Sequence, residues 1–166
     1  MPAEYSFRPL TDKDMPLLAR WLVEPHMAAW WGDAAAALEE IREHIDSISV
    51  EPFIIELDGK PIGYIQSYDP HLEDDHPYAD QPFGTLGIDV SIGVPEFLGK
   101  GHGSAIVRQF AEMLFEEGAP RVIIDPHPDN LRAIRAYEKA GFRQLGRRTS
   151  VYGEAMLMVL DDEGGD

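Results

Sequence analysis

The residues Leu86, Ile88, Val90, Ile92 and Val94 alternate with small or polar ones, and the run stops at Pro95 before a loop carrying glycine at 99, 101 and 103. Alternation of this kind makes a strand with one buried face, and a proline ends its ladder because it has no N–H to donate. Beyond the loop, Ile106, Phe110, Met113 and Leu114 fall at the spacing of one helix face. Strand, glycine loop and helix start together make an anion site. Glycines let main-chain N–H groups turn inward, and the helix N-terminus adds partial positive charge. Two nucleotide loops fail on spacing. Lys100 is followed by Gly101 rather than by Ser or Thr, and the loop reads G-x-G-x-G rather than G-x-G-x-x-G.

The rest of the chain alternates strands and helices. Residues 5–10 read as a first strand, Thr11 or Asp14 as the cap of a helix burying Leu17, Leu18, Trp21 and Leu22, and Pro25 as its stop. Trp30-Trp31-Gly32 precedes a second helix capped by Asp33, with Leu38, Ile41, Ile45 and Ile48 on one side. Strands over 53–57 and 61–68 flank a tight Asp58-Gly59 turn. Residues 69–85 have no period. Their His71, Glu73, Asp74, Asp75 and His76 match no metal spacing and read as a flexible, solvated acidic flap. A strand over 121–125 leads to a helix opened by Asn130 and carrying Leu131, Ile134 and Tyr137 on one face, closed by Gly141. Two strands follow, over 143–150 and 155–160, joined at Tyr152-Gly153. The class is α/β (α+β), a single domain over 1–160 with a flexible acidic tail over 161–166.

The formal net charge is −16, and there are no cysteines. So acidic a surface argues against nucleic acid and anionic membranes as partners and favours a cationic small molecule. The missing cysteines exclude disulfides and a thiol nucleophile and suit a cytoplasmic location.

Leu98-Gly99-Lys100-Gly101-His102-Gly103 resembles the pyrophosphate loop of the GNAT superfamily of N-acetyltransferases, with Leu98 where Gln or Arg is usual. The segment from Asp125 through Asn130 and Tyr137 to Gly141-Phe142 resembles that superfamily's second signature. Trp30-Trp31-Gly32, Pro61 to Tyr68 and Gly87-Ile88-Asp89 extend the likeness, closest to the aminoglycoside 6'-N-acetyltransferases. The resemblance implies a mixed, mostly antiparallel sheet of about six to seven strands flanked by about four helices. It implies direct transfer of an acetyl group from acetyl-CoA to a primary amine of an aminoglycoside or similar polycationic compound, without a metal, by a monomer or homodimer.

By the same resemblance, Asp89 is the base and Tyr137 the acid toward the leaving thiolate. The donor is held by Ile92, Gly93 and Val94 at the strand end, by Gly99, Lys100, Gly101, His102, Gly103 and Ser104 in the loop, and by Asn130, Ala133 and Arg135. Lys139 is an alternative to Arg135 at the phosphates. The acceptor meets Trp30, Trp31, Gln66, Tyr68, Asp89 and Asp125. Tyr152 stands where those enzymes carry an Asp before Gly, which removes one carboxylate contact. The alternatives are a siderophore-type lysine or hydroxylysine N-acyltransferase and a non-catalytic CoA- or amine-binding module.

Overall fold

A computed structural model describes residues 5–150 and 153–162, without the Trp30 side chain. Tyr152 and residues 163–166 lie outside these. Strand β1 (Tyr5–Pro9) leads to α1 (Met15–Leu22), α2 (Pro25–Trp31) and α3 (Ala34–His44). Then come β2 (Val50–Leu57), β3 (Lys60–Tyr68), β4 (Leu86–Ile92), α4 (His102–Glu116), β5 (Arg121–Ile124), α5 (Leu131–Lys139), β6 (Arg143–Ser150) and β7 (Gly153–Asp161). The seven strands form one sheet in the order β1-β2-β3-β4-β5-β7-β6. β4 and β5 are parallel, whereas β1 with β2, β5 with β7 and β6 with β7 are antiparallel. Among the described residues no helix is long and apolar enough to cross a membrane. The chain divides into two compact units, Met1–Ser67 with Val90–Leu98, and Tyr68–Asp89 with Gly99–Asp166.

In the first unit a core of Leu10, Met15, Leu18, Trp21, Leu22, Met27, Ala37, Ile41, Ile54 and Tyr64 joins the helices to β2 and β3. Among the described residues there are five α-helices, in line with the expected about four, and Pro25 does more than stop α1. It occupies the first turn of α2, where its missing N–H costs nothing. Asp33 caps α3 as expected, its carboxylate accepting from Ala36 N at 2.9 Å. The α3 face is shorter than its periodicity suggested: Ile45 is the C-cap and Ile48 lies beyond the helix, 87% exposed. Asp58 (φ 52°) and Gly59 (φ 79°) make the turn of the β2–β3 hairpin with both central residues left-handed, as a two-residue connection of this hand requires.

Gly93 is needed for packing. A Cβ placed there would lie 2.1 Å from the Trp21 ring, and Trp21 is itself buried. Overpacking of this kind costs typically ~1–3 kcal/mol. Gly93→Ala should therefore lower the free energy of unfolding by an amount in that range, and the denaturant midpoint should fall with it. A midpoint equal to the parent's would show that the ring has room to move.

In the second unit α4 is the crossover between parallel β4 and β5, the connection such a pair demands. It buries Ile106, Val107, Phe110, Ala111 and Leu114. Ile88, Val122, Ile123 and Ile124 from the strands are also buried, as are Ile134 and Phe142. Two readings change here. Asp161 is no tail residue: it closes β7 and ion-pairs with Arg121 at 2.6 Å and Arg143 at 3.3 Å. The 69–85 segment is not a solvated flap. Tyr78, Gln81 and Thr85 are buried, and Gln81 accepts from Arg121 at 3.1 Å while Asp80 accepts from Arg148 at 2.9 Å.

Candidate active site

The glycine loop ends in a helix start. Gly101, in the left-handed region at φ 83°, is the N-cap of α4, and Gly99 is also left-handed at φ 70°. Ala105 N bonds back to Gly101 O at 3.3 Å, and the amides of a helix's first turn have no partner within the helix itself. A Cβ at Gly99, Gly101 or Gly103 would meet nothing within 4 Å. Gly103 lies inside the helix without positive φ, so backbone freedom explains Gly99 and Gly101 but not Gly103. The groove beside this helix start is lined by Gly101, Ser104, Ala105, Arg108, Lys139, Ala140 and Gly141.

Of the basic residues expected near phosphate, Lys139 lines that groove, whereas Arg135 and Lys100 are exposed and do not. Arg108 was missed in the sequence. It donates to Ala140 O at 3.2 Å and to Glu112 at 2.9 Å, bridging α4 to the end of α5. His102 and Ser104 lie in the first turn of α4, and Ser104 is buried. Asn130 caps α5, its side-chain oxygen accepting from Ala133 N at 3.3 Å, so one end of that amide and the Ala133 N–H are already engaged.

Two carboxylates and three phenols gather where the β4–β5 pairing ends. Ile88 and Ile124 are the last parallel partners, and Asp89 and Asp125 are the next residues along. Tyr137, from the buried face of α5, has its phenol pushed well above its ordinary value by burial and then by the charges of Asp89 and Asp125. Tyr68 is pushed up by burial first, then by the charges of Asp125 and Asp89, with Tyr78 and Glu73 adding to them. Its ring fills the space above Gly87, where a Cβ would lie 2.0 Å from a ring carbon, which accounts for the glycine in Gly87-Ile88-Asp89. Tyr78, from the 69–85 segment, donates to Asp125 Oδ2 at 2.7 Å. Burial raises the Asp125 carboxyl from 3.8 to about 6, against that hydrogen bond and a backbone one, which lower it. His76 stacks on Tyr68 with ring centres 5.3 Å apart. Its Nδ1 accepts from Tyr78 N at 3.1 Å, and burial holds its pKa below the ordinary value. Neither Tyr78 nor His76 was singled out for the site from the sequence.

The remaining expected residues belong to the first unit. Trp31 packs against that unit's core and donates through Nε1 to Ser91 Oγ at 2.7 Å. Gln66 is buried and accepts from the Tyr64 hydroxyl. At the β4 end, Ile92 O is met by His26 Nε2 at 2.8 Å, while Gly93 N and Val94 N both donate to Ile62 O, at 2.8 and 3.3 Å. The longer Val94 bond is the weaker one, and the easier to exchange for another acceptor. Trp30 is in α2. Among the described residues no group of three or more His, Asp or Glu is placed to hold a metal ion.

A family model described as the acetyltransferase (GNAT) domain matches residues 11–149. Aminoglycoside N(6')-acetyltransferase type 1 of Klebsiella pneumoniae is 39% identical over 163 residues, covering 93% of this chain and 81% of that protein. The crystal structure of aminoglycoside acetyltransferase AAC(6')-Ib in complex with coenzyme A and kanamycin matches with a TM-score of 0.88 at 36% identity, over 96% of both chains. N-hydroxyputrescine acetyltransferase of Acinetobacter baumannii is 27% identical over 152 residues, covering 86% of this chain and 72% of that protein.

Proposed function

The chain belongs to the GNAT acetyltransferase family, and from that premise we propose that it transfers acetyl from acetyl-CoA directly to a primary amine of an aminoglycoside or similar polycationic amine. The observation that carries the acceptor class is the pair of carboxylates, Asp89 and Asp125, that follow one another's strands side by side and act together on the Tyr137 phenol. Two carboxylates at neighbouring strand ends concentrate negative charge, which draws ammonium groups.

The first-turn main chain from Gly101 to Ser104 would bind the pyrophosphate, with Gly99 shaping the loop and Lys139 supplying charge from the groove. Val94 N would exchange Ile62 O for the thioester carbonyl, with Ile92 and Gly93 alongside the donor arm. Asn130 would meet that arm through its remaining amide hydrogens. Asp89 would remove the proton from the attacking ammonium, and the amine would then add to the thioester carbon. As the C–S bond breaks, the Tyr137 hydroxyl would protonate the departing sulfur, and the phenolate would regain a proton from the nitrogen that becomes the amide, directly or through water. In the ligand-free protein burial first, and two nearby anions second, hold that phenol too basic to donate readily. A bound polycation would neutralise them and lower its pKa, so the acid would sharpen only once the acceptor is seated. Trp31, Gln66 and Tyr68 would line the acceptor's path.

Asp125→Asn keeps the shape and an oxygen that accepts from Tyr78. Losing a hydrogen-bonded charge costs ~1.5–3 kcal/mol, so acceptor KM should rise roughly ten-fold to a hundred-fold with acetyl-CoA affinity unchanged. The sign of the stability effect is opposite. A carboxyl raised from 3.8 to about 6 binds its proton more tightly in the folded state. Stability is therefore lost as pH rises from 3.8 through about 6. Above that window Asp125→Asn should be at least as stable as the parent. A less stable variant at pH ~8 would mean that the charge serves folding rather than binding.

The same carboxyl predicts a pH dependence of recognition. An ammonium favours the ionised form, so acceptor KM should climb as pH falls below about 6, by at most about ten-fold per unit from this group. A KM flat from pH ~5 to ~8 would remove Asp125 from recognition.

A thiol-release assay with acetyl-CoA against a panel of amines tests the function. Aminoglycosides should be turned over with kcat/KM well above peptide N-termini. Faster turnover of lysine or a hydroxylated diamine would support the second reading, a siderophore-type acyltransferase, which the likeness to the Acinetobacter enzyme favours. Donor binding with no turnover would leave a binding module.

A further inference from the structure

The 69–85 segment is anchored at three points that the assigned chemistry does not use. Tyr78 donates to Asp125 at 2.7 Å, Asp80 accepts from Arg148 at 2.9 Å, and Gln81 accepts from Arg121 at 3.1 Å. The anchors reinforce one another. The Arg148 guanidinium lies 5.9 Å over the Tyr78 ring, and the Tyr78 N–H is held by His76, which stacks on Tyr68. Tyr78 is 5% exposed, so its hydroxyl needs a buried partner, and Asp125 Oδ2 is that partner.

We propose that Tyr78 is a positioning residue for the acceptor: its hydroxyl fixes one oxygen of Asp125 and turns the other toward an ammonium of the substrate, with the Asp80–Arg148 pair bracing the ring behind it. This rests on the acetyltransferase reading above. A carboxylate free to rotate about its last bond would offer either oxygen to any amine. One held by a 2.7 Å bond offers a single direction. The segment thereby sets which amine of a polyamine is presented to the thioester, as an element of specificity rather than of bond making. The groups facing Asp125 come from four places: Tyr78 from the 69–85 segment, Tyr68 from the end of β3, Asp89 from β4 and Tyr137 from α5, with Arg148 of β6 reaching Tyr78 from the other side.

Tyr78→Phe removes only the hydroxyl, and Arg148→Lys keeps the charge while giving up the flat guanidinium over the ring. Both are read in two ways on the full chain. In the ligand-free protein, carbon-13 NMR of the Asp125 carboxyl should show titration at higher pH in Tyr78→Phe, since a hydrogen bond to the ionised form is gone. In turnover, Tyr78→Phe should raise acceptor KM on the order of ten-fold and move the acidic limb of kcat/KM upward. The kcat and the acetyl-CoA affinity should stay within about two-fold, and the spread of rates over different aminoglycosides should narrow. Arg148→Lys should give a smaller change of the same sign, which a general loss of packing would not grade this way. An unshifted Asp125 titration overturns the proposal, and so does a shifted titration with unchanged acceptor KM. If the parent acetylates no amine, the acetyltransferase reading fails by itself, and the NMR result still decides whether Tyr78 controls Asp125.

Discussion

Valine at position 101 is expected to remove measurable acetyl-CoA binding while the chain still folds. Gly101 caps α4 in the left-handed region at φ 83°, and a side chain there would meet no protein atom within 4 Å. The fold therefore loses only the backbone cost of that conformation, ~1–2 kcal/mol for a residue with a Cβ. The ligand loses more. The first-turn amides of α4 are the proposed donors for the pyrophosphate, and a branched side chain at their entrance would hold the phosphates away. Two lost charge-assisted hydrogen bonds at ~1.5–3 kcal/mol each weaken binding on the order of 10²–10⁴-fold. Calorimetric titration of the folded variant with acetyl-CoA checks this, and an affinity equal to the parent's would move the donor elsewhere. Gly103→Val is the useful companion, because Gly103 has ordinary helical backbone and open space around it. Its valine variant should fold without strain, and any loss of donor affinity there reports ligand approach alone.

Tyr137→Phe should lower kcat on the order of 10²–10⁴-fold, the usual contribution of a positioned acid, with acetyl-CoA affinity unchanged. The hydroxyl is the only atom lost, and the ring stays on the buried face of α5 beside Ile134. Burial and the flanking Asp89 and Asp125 keep the phenol protonated across the physiological range. Single-turnover rates are the measurement of choice, since slow product release would hide a change in chemistry. An unchanged single-turnover rate would return Tyr137 to the core as a packing residue.

How much of this was legible in the sequence depended on distance along the chain. The glycine loop and α4 were readable because their signals are local: glycine spacing, a proline stop and one apolar stripe. The strand over 121–125 was readable too, and the helix between it and β4 is the connection that the parallel pairing requires, which sets Asp125 beside the central strand. The Tyr78–Asp125 bond was not, since its partners are 47 residues apart and the segment carrying Tyr78 has no period. Acidic, proline-flanked composition suggested a solvated flap there, but three side-chain anchors fix it in place. Gly93 was attributed to the donor, whereas its lack of a side chain is required by the Trp21 ring. A packing partner more than seventy positions upstream leaves no trace in local spacing. Asp161 was drawn into the acidic tail by its neighbours in sequence, but β5 and β6 place Arg121 and Arg143 against it.

The most direct test of the account is the reaction of the purified protein with acetyl-CoA and kanamycin, followed by mass spectrometry and NMR of the product. A single acetyl group on one primary amine is predicted, formed at a rate that falls in Asp89→Asn and Tyr137→Phe and declines with added salt, as screening of exposed charge requires. No acetylated product from kanamycin or any other polycationic amine, or equal rates with an uncharged-backbone amine at every salt concentration, would contradict it.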